Sequence, residues 1–276
     1  MSDSGFSDHD IDFVTLMTLE PHGPDVYVGV CEPVIWERVY GGQVVAQALR
    51  AATHTVDQDH QVHSIHGYFI RAGTVAEPIR FEIDRTRNGR SFSTRRVVAR
   101  QSGGAICTLE ASFQRIEDEA DVVLHRPPAG IPPVEDLTSV NWGPLLDRRS
   151  FPVGDGEGAG AWLRVIADIG ADPVLQTCAL AYASDDMPTE AAIAAHPLAA
   201  AGEPENYERF MAATLDHTVW FHRPLRADQW HIHTLQGQGL TGGRGLALGR
   251  VYDAEGLHVA TVAQEVVVRE MRSKHG

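Results

Sequence analysis

The chain contains one unit twice. His63–Arg71 and Thr214–Pro224 superimpose when Tyr68-Phe69-Ile70-Arg71 is laid over Trp220-Phe221-His222-Arg223, an offset of 152. Gly89-Arg90-Ser91-Phe92 and Arg96-Val97 then fall on Gly243-Arg244-Gly245-Leu246 and Arg250-Val251 at 154, and Ile106-Cys107-Thr108-Leu109 on Val259-Ala260-Thr261-Val262 at 153. A chance match would not keep its spacing over three segments, so the fold is a tandem of two copies. The 276 residues give each copy the length of a domain, and 43% apolar content is enough for a core in each.

Each copy reads as one helix followed by an antiparallel meander. In the first, Phe13–Thr18 and Val26–Val30 read as a short helix and a strand behind a polar end at residues 1–8. Tyr40-Gly41-Gly42 then introduces Gln43–Ala52, whose Val44, Ala48, Leu49 and Ala52 recur at helical spacing. His63–Arg71, Pro78–Arg87, Phe92–Gln101 and Ala105–Gln114 are β-rich runs separated by glycine turns. Charge at Glu117–Asp121 and proline at Pro127–Pro133 read as a surface connection. The spacing therefore predicts a first unit over 1–117, a linker over 118–153 and a second unit over 154–276.

In the second unit Pro173–Ser184 takes the place of the helix, with Ala179-Leu180 over Ala48-Leu49 at an offset of 131. The helix and its strands are thus 21 residues further apart than in the first copy, and Thr189–Tyr207 holds the extra length. Strands are expected at Trp230–Leu235, Leu246–Asp253 and His258–Arg269.

Composition narrows the functional class. A net charge of −14 argues against binding nucleic acid or an anionic membrane, and no apolar run approaches the ~20 residues of a membrane helix. Cys31, Cys107 and Cys178 are an odd, widely spaced set without a CxxC, which fits free thiols in a reducing cytoplasm. Gly237-Gln238-Gly239-Leu240-Thr241-Gly242 matches GxGxxG but opens no helix, so it reads as a turn between strands. The pairs His63/His66, His217/His222 and His231/His233 sit on strands with no HExxH or cysteine partner, and no metal is expected. There is no GxSxG elbow for a serine nucleophile. Arg85, Arg87, Arg90, Arg95 and Arg96 form a basic cluster that suits solvated strand faces, and would also suit a phosphate-rich ligand.

Two polar features stand out. Asp185 and Asp186 follow directly on the second helix, at the end where the helix dipole disfavours carboxylates, though both would be ordinary past the helix in solvent. Strand alternation puts Gln264 on the face of Val262, Val266 and Val268, where an unpaired amide costs about 1–3 kcal/mol unless the strand is an exposed edge. Thr214 alone is indistinguishable from any strand threonine.

Taken together, these residues resemble the TesB-like acyl-CoA thioesterase II family. The likeness is carried by Tyr40-Gly41-Gly42-Gln43 with Gln47-Ala48, His63-Ser64-Ile65-His66 with Phe69, Arg87-Asn88-Gly89-Arg90-Ser91-Phe92, and Arg95-Arg96-Val97 with Gln101. In the second half it is carried by Ala183-Ser184-Asp185, Leu215-Asp216-His217 with Trp220-Phe221-His222-Arg223-Pro224, Gly243-Arg244-Gly245 and Gln264-Glu265. The family usually has phenylalanine at Tyr40 and glycine at Val266. The resemblance implies an α+β fold, a tandem (double) hotdog in which each unit wraps a curved antiparallel sheet around a central helix. It implies hydrolysis of acyl-CoA without a cofactor, Asp185, Thr214 and Gln264 as catalytic residues, and Gly41, Gly42, Gln43, Arg90 and Arg244 as substrate contacts. A homo-oligomer without membrane insertion is expected. The alternatives are a hotdog enoyl-CoA hydratase, for which His196 would be the histidine after Asp185, and an acyl-CoA-binding protein without turnover. The offsets set His54 over Asp185, Val62 over Thr214 and Ala111 over Gln264, so only the second copy is expected to carry chemistry.

Overall fold

The structure is a computed structural model that describes residues 11–34, 37–153, 158–200 and 203–271. The polar end at residues 1–8 lies outside these. The chain runs α1 (Phe13–Leu16), β1 (Glu20–Pro21), β2 (Val26–Gly29), α2 (Gly41–Thr53), β3 (His60–Phe69), β4 (Ile79–Asn88), β5 (Phe92–Gln101) and β6 (Gly104–Arg115). It continues through β7 (Leu146–Val153), β8 (Gly158–Val165), α3 (Pro173–Ala183), α4 (Pro188–Ala194) and α5 (Glu203–Arg209). β9 (Phe210–Thr214), β10 (Asp216–Phe221), β11 (His231–Thr241), β12 (Arg244–Tyr252) and β13 (His258–Glu270) complete it.

All thirteen strands join one antiparallel sheet, ordered β1-β2-β4-β5-β6-β3-β10-β13-β12-β11-β8-β7, with β9 also on β13. Outward from the β3–β10 junction, each half has the same connection order, which is the tandem made visible. The junction pairs Ile65 with Val219, His66 with Thr218 and Gly67 with His217. Thr218 is the repeat equivalent of His66, so this pair lies on the pseudo-twofold axis, and the strand that repeats in sequence is the strand through which the copies meet. Ile65 and Val219 are fully buried there, and one apolar core runs through both copies. Fully burying such a side chain contributes about 1.5–3 kcal/mol, so neither half is closed without the other.

α2 packs on β3, β4, β5 and β6 and against α3, its counterpart. The extra length of the second copy is α4, α5 and β9, and α4 lies on β11, β12 and β13. Two features differ from the sequence reading. The interval 118–153 contains β7, which pairs with β8 along its whole length. Neither strand was legible, because β7 carries Asp147, Arg148, Arg149 and Pro152 on a sheet edge and β8 is a Gly/Ala run. A Cβ on Gly160 would stand 2.4 Å from Phe151 Cε2, so Phe151 packs only because that residue is glycine. The second difference is a slip. Phe92 pairs with Gln114, and Arg244 with Val267; since Gln114 and Val267 are equivalent, Phe92 rather than Arg90 occupies the place of Arg244. A two-residue slip leaves every side chain on its own face, so the alternation could not detect it.

Candidate active site

α3 ends at Ser184, and Asp185 turns inward against the start of α2. Asp185 and Asp186, which would have been ordinary in solvent, are enclosed: Asp185 is 8% exposed and the Asp186 side chain 1%. A Cβ on Gly41 would stand 2.5 Å from Asp185 Oδ2 and 3.0 Å from Phe69 Cζ, so this approach requires glycine. A Cβ on Gly42 would lie 2.3 Å from the Tyr182 carbonyl oxygen, to which the Tyr40 hydroxyl donates at 2.9 Å. The first turn of α2 is thereby pressed onto the last turn of α3, and the site takes residues from both copies.

Burial pushes the Asp185 carboxyl up to about 7; Gln264 and the Gly42 N–H oppose the rise, and the Asp186 charge adds to it. Asp185 Oδ1 has no hydrogen-bond partner among the described residues. Tyr40, the residue ahead of α2, makes no side-chain cap; the Gly42 N–H is instead turned to Asp185, and the positive end of the helix dipole lies beside this carboxylate.

Gln264 is fully buried on an interior strand, not on an edge. Its Nε2 donates to Thr214 Oγ1 at 2.9 Å, and its Oε1 lies 2.5 Å from His217 Nδ1. Thr214 is the last residue of β9; the break to β10 that follows is fixed by the Leu215 N–H on the Glu265 carbonyl and by Asp216 Oδ1 accepting from the Glu265 N–H. His217 was read as a strand-face residue, and it is the member of this group that sequence reasoning missed. Burial holds its imidazole down to about 4, so it is neutral at pH 7, and its 4.0 Å approach to Asp185 Oδ1 is not an ion pair. His217 Nε2 lies 2.8 Å from Ser184 Oγ, whose hydroxyl also donates to the Ala181 carbonyl at 2.8 Å. Ser184, His217, Gln264 and Thr214 thus form one chain of polar contacts. The repeat held the signal: His217 and Gln264 stand where the first copy has Ile65 and Ala111, a buried apolar pair joined in the β3–β6 ladder.

The remaining residues divide. Gln43 is buried with its bonds spent inside the fold, to the Glu32 N–H, the Val30 carbonyl and Gln47. Arg244 opens β12 opposite Val267, one residue along β13 from the Val266–Thr214 pair, and donates to Glu265 at 2.9 Å. Arg90 is exposed in the β4–β5 turn beside the Ser91–Arg115 bond, at the His60 end of β3. Phe69, which adjoins the site, is at the other end of that ten-residue strand, roughly 30 Å away, so Arg90 is not brought to Asp185. The arginine cluster is not uniformly solvated, since Arg95 is buried and bonded to Thr55, Asn88 and the Arg87 carbonyl. Among the described residues the metal-ligating groups close enough to share an ion are Asp57, Asp59 and His60, and Asp59 is already paired with Arg115. Gly237–Thr241, expected as a turn, is the end of β11 with a bulge at Gly239, and the turn into β12 is Gly242-Gly243, both at positive φ.

Comparison with known proteins agrees with this layout. Residues 33–114 match the family model for the acyl-CoA thioesterase N-terminal domain, and residues 119–268 the model for the C-terminal domain. The chain is similar to acyl-CoA thioesterase 2 of Haemophilus influenzae, 32% identical over 93% of this chain and 96% of that one. It is similar in structure to the acyl-CoA thioesterase II TesB2 of Mycobacterium marinum, with a TM-score of 0.82, 34% identity, and 96% and 99% of the two chains covered. A hot dog fold protein from Alicyclobacillus acidocaldarius superimposes with a TM-score of 0.74 at 18% identity over 94% and 98%, and shares the fold. No helix of the described residues is long and apolar enough to cross a membrane.

Proposed function

The chain belongs to the acyl-CoA thioesterase family and is a thioester hydrolase, and from that premise we propose that it cleaves fatty acyl-CoA to a free fatty acid and CoA using Asp185 as general base. The observation that carries this reading is the gathering of Asp185, the Thr214–Gln264 pair and the uncapped start of α2 in one buried place. A carboxyl held near 7 is poised to take a proton at neutral pH. One hydrogen of the attacking water goes to Asp185, and the other to Thr214 Oγ1. The second N–H of Gln264 donates to one lone pair of that water, leaving the other for the thioester carbonyl carbon. The carbonyl oxygen then becomes an oxyanion facing the first turn of α2, whose dipole and N–H groups other than that of Gly42 are already in place. Collapse breaks the C–S bond, and the thiolate leaves with the proton that Asp185 took from water, which restores the carboxylate. No covalent acyl-enzyme forms.

A hydratase would need a histidine free to act beside Asp185. His217 is adjacent, but both of its ring nitrogens are engaged. His196 bonds the Leu198 N–H and packs on Phe210, which argues against it as well. The unpaired Cys31, Cys107 and Cys178 support a cytoplasmic location, and a homo-oligomer working in fatty acid metabolism goes with the reading. The test is incubation with saturated and 2-enoyl-CoA, following free thiol and the enoyl absorbance. Thiol release from saturated acyl-CoA is expected; loss of the enoyl signal without thiol would indicate hydration, and binding with neither would indicate a carrier.

A further inference from the structure

The pseudo-twofold axis that generates the site also generates its counterpart, at the other end of the helix pair. There the structure has a cavity of about 630 Å³, within the range of small-ligand pockets. Its lining includes His54 and Val62, the equivalents of Asp185 and Thr214, together with the start of α3, the equivalent of the start of α2. The thirteen residues of α2 separate it from Gly41 by roughly 20 Å. None of the catalytic chemistry survives there, but the cavity is not filled in.

One wall is apolar, with Leu49, Val62, Val174, Leu180 and Phe221, and the rest is polar, including the exposed carboxylate of Asp57. Three arginines line it, and two are already neutralised: Arg223 by Asp121 and Arg226 by Asp228. Arg50 has no carboxylate within ion-pair distance among the described residues, and its Nε is buried without an acceptor. His60 also lines the cavity; its side chain is 4% exposed, its Nδ1 is held by Asp59 at 2.8 Å, and its Nε2 has no partner. A buried polar atom left unpaired costs about 1–3 kcal/mol, and a guanidinium without an anion is conspicuous in a chain of net charge −14. An apolar wall beside a cation in want of an anion suits an amphipathic anion, and a planar guanidinium suits a carboxylate.

We propose that this cavity is a second, non-catalytic binding site for a carboxylate with an apolar tail, held by Arg50 and the apolar wall of the vanished active site. Free fatty acids are of this class. The site does not depend on the hydrolytic reading, although that reading would make its ligand the enzyme's own product.

The test is calorimetric titration of the whole protein with dodecanoate after the catalytic groove has been saturated with a non-hydrolysable dodecyl thioether of CoA. Failure of the thioether to bind would count against the proposed function, and dodecanoate titrated alone would still report on this cavity. Wild type should bind one further equivalent of dodecanoate, with dodecanol at least tenfold weaker and inorganic phosphate undetectable. Arg50→Met should weaken dodecanoate at least tenfold, and Thr177→Trp, which fills the cavity from α3, should abolish the binding independently. Retained release of thiol from a short acyl-CoA checks that each variant is folded. Absence of saturable binding to wild type, equal binding of dodecanol, or unchanged affinity in both variants would overturn the proposal.

Discussion

The two ends of the α2–α3 pair are related by the fold and differ in every group that matters. At one end stand Asp185, Thr214, Gln264 and His217; at the other, in the same places, His54, Val62, Ala111 and Ile65. The difference extends to the backbone. α2 begins at Gly41-Gly42 with no side-chain cap, whereas α3 begins with Pro173, which has no N–H, and Asp172 accepts from the Val174 and Leu175 N–H groups at 2.9 and 3.2 Å. In the proposed mechanism the start of α2 receives the oxyanion, whereas the start of α3 has spent its donors on Asp172. A duplicated scaffold can therefore keep its packing symmetry while its polar groups differ between the ends, even at the junction, where His217 opposite Gly67 answers Ile65 opposite Val219.

Breaking the working end should show this asymmetry in order of effect. Asp185→Asn keeps the shape and removes the base, so thiol release should fall toward the upper part of the ~10²–10⁴-fold range of general-base catalysis, and a rate near wild type would remove Asp185 from the mechanism. Gln264→Ala should cost about 10²-fold, since the water loses a donor and His217 loses its partner; a loss under threefold would mean the amide is structural only. Thr214→Ala should cost less than about 10²-fold, because the threonine only orients water. If it matched Asp185→Asn, the roles would be reversed.

Smaller effects follow from protonation. The acid limb of kcat/KM should have its midpoint near 7, set by Asp185, and a limb near 4 would show that burial does not govern this group. Stability carries the same sign. The folded Asp185 holds its proton more tightly than the unfolded one, so the wild-type fold loses stability as pH rises from about 4 through about 7. Asn cannot ionise, so Asp185→Asn should raise Tm more at pH 8 than at pH 5, by thermal melts at both; an equal change would contradict the assignment.

Much of this was legible in the sequence, for identifiable reasons. The helix at Gln43–Ala52 and the strands from β3 to β6 follow from periodicity, and Phe92–Gln101 has the bounds of β5 as observed. Gln264 was visible because an amide on an apolar face violates alternation, and Asp185 because it stands at the wrong helix end. The partners that give these residues their function lie far away in the chain. Gly41 meets Asp185, and His217 meets Gln264, only because the sheet brings β10 beside both β3 and β13. β7, β8 and β9 were missed because an edge strand of charged residues, a glycine–alanine run and the Phe210–Thr214 segment carry no apolar alternation; tertiary pairing alone makes them strands. The Gly-Arg match at Arg90 and Arg244 was misplaced by two residues, a shift to which period-two reasoning is blind.

The central claim is that one of the two equivalent ends does the chemistry, and the most direct test is the turnover of His54→Ala measured beside Gln264→Ala under saturating acyl-CoA. With both variants folded by circular dichroism, His54→Ala should retain the wild-type kcat within twofold while Gln264→Ala loses about 10²-fold, because no second site can compensate. Equal impairment of the two variants would mean that the first copy is catalytic as well, and would contradict the account.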